Sequence, residues 1–406
     1  MTPLRLLFVV QRYGPEVRGG AEQAAREVAQ RLAARGHGVE VLTTTAISYV
    51  DWSGDLPTGS AVIEGVSVHR LPVEPLRDPE VFGRLHHRME HATAPIAVEL
   101  QRDWVRAQGP TVPGLAPWLE AEAARFDVVV FFTYLYATTT DGLPAAAGRT
   151  ATALVPCAHD ESPLALHAFD RIAHLADALL FLTPEEAGLV RGRFRLRSPH
   201  NVVGLGTTLD PPTGDPASFA AAAGLDGRPY LVYVGRIDPS KGTSWLVDAF
   251  VALKQDRPSP LQLVLLGEPV VAPAEHPDVI VVPDADDAAR NAALAGAVAL
   301  VHPSPFESFG LVVIEAWAMG TPIVAFGGND VLRGHVKRSG GGLLVHSTAE
   351  LGAAAELLAG DQVVRDSLGR AGRAHVEQHH AWPAVIDRWE RALQRTAVRA
   401  RRSLTR

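Results

Sequence analysis

Two glutamates, Glu307 and Glu315, lie in the stretch from His302 to Asp330 with seven residues between them. The stretch reads as a Pro-rich loop, an apolar helix that carries Glu315, a buried strand from Thr321 to Phe326 and a Gly-Gly turn. The two side chains cannot be neighbours on one helix face, because Glu307 precedes the helix and Glu315 lies about one and a half turns into it. They therefore suit two different parts of one polar ligand.

The start of this helix, near Phe309, Gly310 and Leu311, is where an anion could bind between the two carboxylates. A helix N-terminus offers unpaired N–H groups and a partial positive charge, which favour a phosphate. Carboxylates on either side would accept hydrogen bonds from hydroxyl groups that flank it. A nucleotide sugar has this order of hydroxyls, diphosphate and hydroxyls. The alternative is that Glu307 caps the helix and Glu315 is only solvated.

Two cations follow the predicted strand Tyr230 to Val234 at a strand-to-helix crossing. Arg236 ends the strand, and Lys241 precedes a helix that is predicted to begin near Thr243. Such a pair can neutralise a diphosphate leaving group. Two unrelated surface cations are the alternative.

Four further candidates follow strands in the first half of the chain. Gly19 and Gly20 lie in the loop after the first predicted strand, where glycine lets backbone approach a ligand, although a surface turn is the alternative. His159 and Asp160 follow the strand Thr150 to Pro156, at the edge where parallel sheets bind ligands. A lone histidine is otherwise a structural residue.

These residues need an α/β scaffold, and the chain predicts one in each half. Buried strand patterns alternate with helical patterns from Leu4 to His302 and beyond, as in parallel sheets with helical crossovers. The predicted divisions are a first domain over 1–206, a Pro- and Gly-rich linker over 207–228, a second domain over 229–383 and a C-terminal helix over 384–406. Pro79 to Arg106 is predicted to be helical.

Composition excludes several classes of protein. A length of 406 residues suffices for about two domains. The net charge of -7 argues against nucleic acid as the main partner. One cysteine, Cys157, excludes an intramolecular disulfide and a cysteine zinc site. No apolar run reaches the ~18 residues that span a bilayer, so we expect a cytoplasmic protein, with peripheral membrane contact left open.

The segment from His302 to Asp330 closely resembles the Glu, seven residues, Glu signature of retaining glycosyltransferases of the GT-B fold, family-4 type. The Pro-Ser, Phe-Gly, Glu-Ala and Gly-Thr-Pro pieces around the glutamates also match. The Gly-Gly pair at Gly19 resembles the first loop of this family, with extra residues at Glu16 to Arg18. The loop after Gly328 departs from it, since the family often has a Glu where this chain has Asn329 to Leu332.

The resemblance implies a fold of two Rossmann-like doubly wound parallel-sheet domains facing across a cleft, and it implies a role for each candidate. Glu315 would hold the ribose hydroxyls, and Arg236 and Lys241 the diphosphate. Glu307 and His159 would contact the transferred sugar. The implied donor-binding residues are Gly19, Gly20, Gly235, Arg236, Lys241, Glu307, Ser308, Phe309, Gly310, Leu311 and Glu315. The implied catalytic residues are Glu307, His159, Arg236 and Lys241. Tyr134 and Asp160 are candidates for acceptor binding.

The family needs no metal, and we assign neither metal nor cofactor. The Asp-x-Asp sequence at Asp284 and Asp286 is interpreted as helix capping. Gly204 and Gly206 begin like a dinucleotide fingerprint, but Leu209 replaces the third glycine, which weakens an oxidoreductase interpretation. No Gly-x-Ser-x-Gly elbow of a hydrolase is present.

The expected activity is transfer of a hexose-type sugar, with retention, from a nucleoside-diphosphate sugar. UDP is favoured over GDP as the carrier by the family alone. The acceptor is a small molecule, a saccharide or a lipid-linked compound. The alternatives are a non-catalytic nucleotide-sugar binding protein and a GT-B-fold epimerase or phosphorylase. A phosphorylase would need a Schiff-base lysine, and the chain has three lysines, Lys241, Lys254 and Lys337.

Overall fold

The computed structural model describes residues 2–17, 19–92, 95–196, 198–211, 213–225, 227–283 and 285–404, with side chains up to residue 400. Asp284 and Arg18, which belong to patterns discussed above, lie outside the described residues. The chain divides into two compact units. Unit 1 consists of Met1–Gly204 and Ile386–Arg406, and unit 2 is Leu205–Val385.

Unit 1 contains an eight-stranded sheet in the order β3-β4-β2-β1-β5-β6-β7-β8. Every pairing is parallel except that of β3 with β4, which is antiparallel. Its strands are β1 (Arg5–Val9), β2 (Gly38–Thr44), β3 (Gly59–Ile63), β4 (Val66–Leu71), β5 (Val128–Phe132), β6 (Ala151–Val155), β7 (Ala178–Phe181) and β8 (His200–Val202). Its helices up to residue 204 are α1 (Gly20–Ala34), α2 (Pro79–Glu90), α3 (Val98–Gln108), α4 (Leu115–Glu122), α5 (Ala137–Thr140), α6 (Gly142–Ala146), α7 (His167–Leu175) and α8 (Pro184–Phe194).

Unit 2 contains a six-stranded parallel sheet in the order β11-β10-β9-β12-β13-β14. Its strands are β9 (Tyr230–Val234), β10 (Gln262–Leu266), β11 (Val279–Val282), β12 (Ala299–His302), β13 (Ile323–Phe326) and β14 (Gly342–Val345). Its helices are α9 (Pro216–Ala222), α10 (Thr243–Asp256), α11 (Asp287–Gly296), α12 (Leu311–Ala318), α13 (Asp330–Ser339), α14 (Thr348–Gly360) and α15 (Gln362–His379). The last helix, α16 (Trp382–Leu404), begins in unit 2 and joins unit 1 from Ile386.

The central strands are apolar because helices cover both faces of each sheet. All five residues of β5 and of β10 are buried. A strand buried on both faces reads as a continuous apolar run, which is why the α/β alternation was visible in the sequence. The α/β class with two parallel sheets is confirmed. The helical region predicted from Pro79 to Arg106 is wrong in one respect, since α2 ends at Glu90 and α3 begins at Val98.

Helix α16 completes the core of unit 1. Trp389 is fully buried, stacks on Phe132 with ring centroids 6.0 Å apart, and donates from Nε1 to the carbonyl of Gly204 at 3.0 Å. Glu390 accepts from Arg35 at 2.7 Å and lies 3.0 Å from His37 Nε2. Among the described residues, no helix is long and apolar enough to cross a membrane.

Candidate active site

The candidate donor residues of unit 2 lie in loops that follow strands β9 and β12. In a parallel sheet these loops lie at the carboxyl edge, where ligands bind. β9 and β12 are neighbours in the sheet, so the loops after them lie side by side. This adjacency brings residues 235–242 near residues 303–311 although about 65 residues separate them in sequence.

Lys241 contacts the loop of the first glutamate. Its Nζ lies 3.0 Å from Glu307 Oε1 and 3.3 Å from the carbonyl oxygen of Phe306. Gly242, the next residue, has φ +76°, and a Cβ there would lie 2.5 Å from the carbonyl oxygen of Pro303. Only glycine fits this close approach without strain. The loop after β9 therefore holds the ammonium group beside Glu307.

His302, the last residue of β12, lies near the same carboxylate oxygen as Lys241. Its Nε2 is 3.7 Å from Glu307 Oε1, and its side chain is 7% exposed. Burial lowers the pKa of His302, which leaves the imidazole neutral near pH 7. Sequence reasoning did not select His302, although a polar residue that ends an apolar strand is a signal that could have found it.

The start of α12 carries the backbone amides that the sequence suggested for a phosphate. Gly310 precedes the helix with φ +78° and gives it no side-chain cap. Phe309 is 3% exposed, and its carbonyl oxygen accepts from His335 Nε2 at 2.8 Å. The helix start is thus fixed by burial on one side and by a hydrogen bond to α13 on the other. Its amides and its partial positive charge suit an anion.

Glu315 lies within α12 beside a cation that sequence reasoning did not select. Arg290 NH2 of α11 is 3.7 Å from Glu315 Oε1, and its NH1 is 3.2 Å from Asp287. The Glu315 side chain is 15% exposed, which argues against the alternative of a merely solvated residue. A carboxylate that is held in place and partly exposed can still accept from two neighbouring hydroxyls.

Arg236 follows Gly235, and its Nε pairs with Asp238 Oδ2 at 3.2 Å. The Arg236 side chain is 44% exposed, and its backbone carbonyl accepts from the hydroxyl of Tyr233 at 2.7 Å. Gly235 has φ +141°. The backbone is therefore anchored while the guanidinium reaches solvent at the same loop as Lys241.

Asn329 occupies the loop that departs from the family pattern. Its side-chain oxygen caps α13 by accepting from the amide of Leu332 at 3.0 Å. Its Nδ2 donates to the carbonyl of Pro305 at 2.9 Å. One amide side chain thus joins the loop after β13 to the Pro-rich loop that carries Glu307.

The glycine loop of unit 1 lies over a buried charged cluster. Gly19 precedes α1, and a Cβ there would lie 2.3 Å from Glu22 Oε2, so a side chain at this position would displace the Glu22 carboxylate. Glu22 accepts from Arg12 at 2.6 Å and from Gln11 at 2.9 Å, and both Glu22 and Arg12 are 6% exposed. A Cβ at Gly20 would meet nothing within 4 Å.

His159 follows β6 in the same unit. Its Nδ1 is 3.2 Å from Glu161 Oε1. The residue before it, Ala158, donates its amide to Glu186 at 2.8 Å, and the other oxygen of Glu186 accepts from the amide of Leu182 at 2.7 Å. Burial raises the pKa of Glu186 to about 8. This carboxyl group fixes the backbone that carries His159, and sequence reasoning missed it.

The two acceptor candidates differ in exposure. Tyr134 is 3% exposed, and its hydroxyl donates to Glu161 at 2.7 Å. Burial raises the pKa of Tyr134 well above its usual value. The Asp160 side chain is 75% exposed and lies 3.2 Å from Arg193. Through Glu161, Tyr134 shares a carboxylate with His159.

The structure thus assembles the candidates in two sets. Unit 2 holds Gly235, Arg236, Lys241, Glu307, Ser308, Phe309, Gly310, Leu311 and Glu315. Unit 1 holds Gly19, Gly20, Tyr134, His159 and Asp160. Asp286 accepts from the amide of Ala289 at 2.7 Å and caps α11. Within the described ranges, no group of three or more His, Cys, Asp or Glu side chains could hold a metal ion.

Comparison with known proteins gives consistent relatives. The sequence profile described as "Glycosyl transferases group 1" matches residues 228–361. The D-inositol 3-phosphate glycosyltransferase of Frankia alni is 30% identical, over 76% of this chain and 77% of its own. The D-inositol 3-phosphate glycosyltransferase of Jonesia denitrificans is 28% identical, over 94% of this chain and 92% of its own.

Solved structures of similar fold cover almost the whole chain. Sucrose-phosphate synthase from Thermosynechococcus elongatus has a TM-score of 0.69 at 21% identity and covers 96% of this chain and 98% of its own. Anabaena HepE in complex with UDP-glucose has a TM-score of 0.67 at 15% identity and covers 96% of this chain and 99% of its own. These similarities confirm the expected GT-B fold.

Proposed function

The chain belongs to the group 1 glycosyl transferases, and on that basis we propose that it transfers a hexose from a UDP-sugar, with retention and without a metal ion, to a hydroxyl-bearing acceptor. Membership makes it a glycosyltransferase that uses a nucleotide sugar. The base, the stereochemistry, the metal independence and the acceptor are the proposed parts.

One observation in unit 2 supports the donor site more than any other. The ammonium of Lys241, the carboxylate of Glu307 and the start of α12 meet in one loop cluster. A cation and a helix N-terminus together favour an anion with several oxygens. The diphosphate of the donor is such an anion, and Arg236 adds a second cation from the same loop.

In this proposal Glu315 and Glu307 bind the groups on either side of the diphosphate. Glu315 would accept from the ribose hydroxyls, and Glu307 from the hydroxyls of the transferred sugar. In unit 1, His159 and the backbone at Gly19 and Gly20 keep the roles that the family resemblance implies for them. These roles follow the family pattern, and the burial of Glu307 and Glu315 is compatible with them.

Departure of the nucleoside diphosphate is the costly step, and the cations lower its barrier. The bond between the anomeric carbon and the β-phosphate oxygen breaks, and negative charge develops on the phosphate. Arg236 and Lys241 stabilise that charge as it forms. The acceptor hydroxyl attacks on the face from which the phosphate leaves, which keeps the configuration, and its proton passes to the departing phosphate oxygen.

Uridine and a phosphorylated acceptor are supported by the names of similar proteins. HepE was solved with UDP-glucose, and both relatives above are named for D-inositol 3-phosphate. We therefore place phosphorylated cyclitols and sugars first among acceptors. Saccharides and lipid-linked compounds follow.

The experiment is a transfer assay with EDTA present. Purified chain is incubated with UDP-glucose or a GDP-hexose and with D-inositol 3-phosphate or a hexose phosphate, and products are analysed by mass spectrometry and proton NMR. We expect one hexose to be added from UDP-glucose with the donor's anomeric configuration, and none with Lys241→Met. Interconversion of the donor sugar without transfer would favour an epimerase. An inverted product would contradict retention.

A further inference from the structure

A cavity of about 850 Å³ opens in unit 1 between α2, α3 and the segment before α2. We call it the arginine groove, and the lining residues that matter are Leu76, Val81, Arg84, Leu85, Arg88 and Arg106. Its volume lies within the range of about 300–1,000 Å³ that is typical of ligand pockets. None of these residues belongs to the candidate active site.

One face of α2 forms a wall of the groove. Val81, Arg84, Leu85 and Arg88 are spaced at i, i+3, i+4 and i+7, which places them in one stripe along the helix. The buried residue of α2 is Met89, which is not in this stripe. Val81, Arg84 and Arg88 are exposed, whereas Leu85 is half-buried and also packs against the core of unit 1. The helix therefore presents apolar and cationic side chains to the groove, with Leu85 at its inner edge.

The floor of the groove is rigid. Arg77 donates to the carbonyls of Tyr49 at 3.2 Å and Gln108 at 2.6 Å. Its guanidinium lies 4.7 Å from the ring centroid of Trp52 and 4.4 Å from that of Phe82. The Arg77 guanidinium is thus engaged in contacts within unit 1. The cations that remain for a ligand are those on α2 and α3.

The charge of the groove is positive. Four arginines and two aspartates line it. One of the aspartates, Asp78, caps α2 by accepting from the amides of Glu80 and Val81 at 2.9 Å. Asp103 is exposed, and its negative charge reduces the net positive charge of the groove. Arg84 lies 3.8 Å from Glu80, and exposed pairs of this kind contribute little. Arg88 and Arg106 are both exposed.

The groove also exposes apolar side chains. Leu76 is 52% exposed and Val81 is 38% exposed, and both line the cavity. Apolar surface beside several arginines is complementary to a molecule with an apolar body and an anionic end. A free phosphate would leave the apolar surface uncovered, and an uncharged apolar ligand would leave the cations unused.

From this combination we propose that the arginine groove binds a single anionic lipid molecule. Its phosphate head group contacts Arg88 and Arg106, and its hydrocarbon chain covers Leu76, Val81 and Leu85. The proposal rests on unit 1 alone and does not depend on which donor or acceptor the enzyme uses.

The test is calorimetric titration with lysophosphatidic acid below its critical micelle concentration. The matched ligand is lysophosphatidylcholine with the same acyl chain, and glycerol 3-phosphate is the head group alone. The variants are Arg88→Gln with Arg106→Gln, and Leu76→Ser. Arg102→Gln is the matched control, because Arg102 is exposed on α3 and does not line the groove. Circular dichroism and thermal unfolding check that each variant is folded.

We expect saturable binding of lysophosphatidic acid that is at least about tenfold tighter than that of either comparison ligand. The choline lipid lacks the full phosphate charge, and glycerol 3-phosphate lacks the acyl chain that buries apolar surface. The double arginine variant and Leu76→Ser should each weaken it, and Arg102→Gln should not. The proposal is overturned if there is no saturable binding, if the choline lipid or glycerol phosphate binds equally well, or if Arg102→Gln weakens binding as much as the groove variants.

Discussion

Glu307 is the residue whose surroundings separate sugar transfer from nucleotide binding. One oxygen of its carboxylate lies near both a cation, Lys241, and a buried imidazole, His302. If Glu307 contacts the sugar, Glu307→Gln should reduce the transfer rate by about 10²-fold, as loss of one transition-state contact does, while affinity for UDP changes little. Steady-state kinetics and calorimetry on the same preparation measure both. Equal loss of rate and of UDP affinity would refute the assignment to the sugar.

Glu315 makes the complementary prediction for the ribose. Glu315→Ala should weaken binding of UDP by about 1.5–3 kcal/mol, the value of a hydrogen bond to a charged group. Calorimetry with UDP and with its 2′,3′-dideoxy analogue separates loss of contact with the ribose hydroxyls from a general loss of nucleotide affinity. The wild type should prefer UDP, and the variant should bind the two ligands alike. A variant that keeps the full preference for UDP would show that the ribose hydroxyls bind elsewhere.

At the scale of elements, Asn329 links α13 to the loop of Glu307. Asn329→Ala removes both the helix cap and the hydrogen bond to Pro305, and should lower the free energy of unfolding by about 0.5–2 kcal/mol. Asn329→Asp keeps an oxygen that can cap the helix and loses only the donor to Pro305. Denaturant unfolding and UDP titration of both variants test this. If Asn329→Asp binds UDP as tightly as the wild type does, the hydrogen bond to Pro305 has no part in shaping the donor loop.

Helices α13 and α15 carry histidines that make stability depend on pH. Burial, with a smaller contribution from neighbouring cations, lowers the pKa of His335 to about 3 and that of His375 to about 4. In the unfolded chain both titrate near about 6.5. Between these values the unfolded chain binds more protons than the native one, so the free energy of unfolding falls as the pH falls below about 6.5.

His375→Gln, at a partly buried site, isolates one of these groups. Its free energy of unfolding should change less between pH 5 and 6 than that of the wild type, by up to about 1 kcal/mol, because unfolded His375 is mostly protonated in this range and solvent screens the partly exposed native group. Urea unfolding at both pH values provides the comparison. Identical changes in the two proteins would mean that His375 titrates normally in the native state.

The sequence predicted elements better than the contacts between them. The bounds of β9 are those expected from its apolar run, and α10 begins at Thr243 as expected. The break between α2 and α3 was missed, although Pro95 lies in it and proline favours a helix end. Local patterns carry this information, so errors fall mainly at boundaries.

The side chains that sequence reasoning missed are defined by contacts between distant parts of the chain. Arg290 and Glu315 come from different helices, and the Asn329 contact with Pro305 spans 24 positions. His302 and Glu186 are ionisable groups within buried surroundings, and no local pattern shows what they contact. The family signature found Glu307 and Glu315 because the spacing itself is the signal.

At the scale of the whole molecule, the chain leaves unit 1 at Gly204 and returns to it at Ile386. Trp389, fully buried against Phe132, belongs to the returning helix. Trp389→Ala should destabilise unit 1 by about 3–5 kcal/mol, the cost of removing a large buried side chain. UDP binding by unit 2 should persist at temperatures where unit 1 of the variant has unfolded.

Differential scanning calorimetry with and without UDP tests this division. Trp389→Ala should lower the temperature of an unfolding transition that UDP does not shift. It should leave unchanged the temperature of the transition that UDP does shift. The matched control is Val398→Ala, on the same helix, where the side chain is 49% exposed and little packing is lost. If the tryptophan variant lowers every transition alike, the two units do not unfold separately.

The central claim, that the loops after β9 and β12 of this glycosyltransferase bind a nucleoside diphosphate, is tested most directly by calorimetric titration without metal. The ligands are UDP, GDP, ADP, dTDP and NAD, and the proteins are the wild type, Arg236→Ala and Lys241→Met. We expect saturable binding of UDP that falls by at least about tenfold in each variant. Binding of NAD alone, or UDP binding that both variants retain in full, would contradict the account.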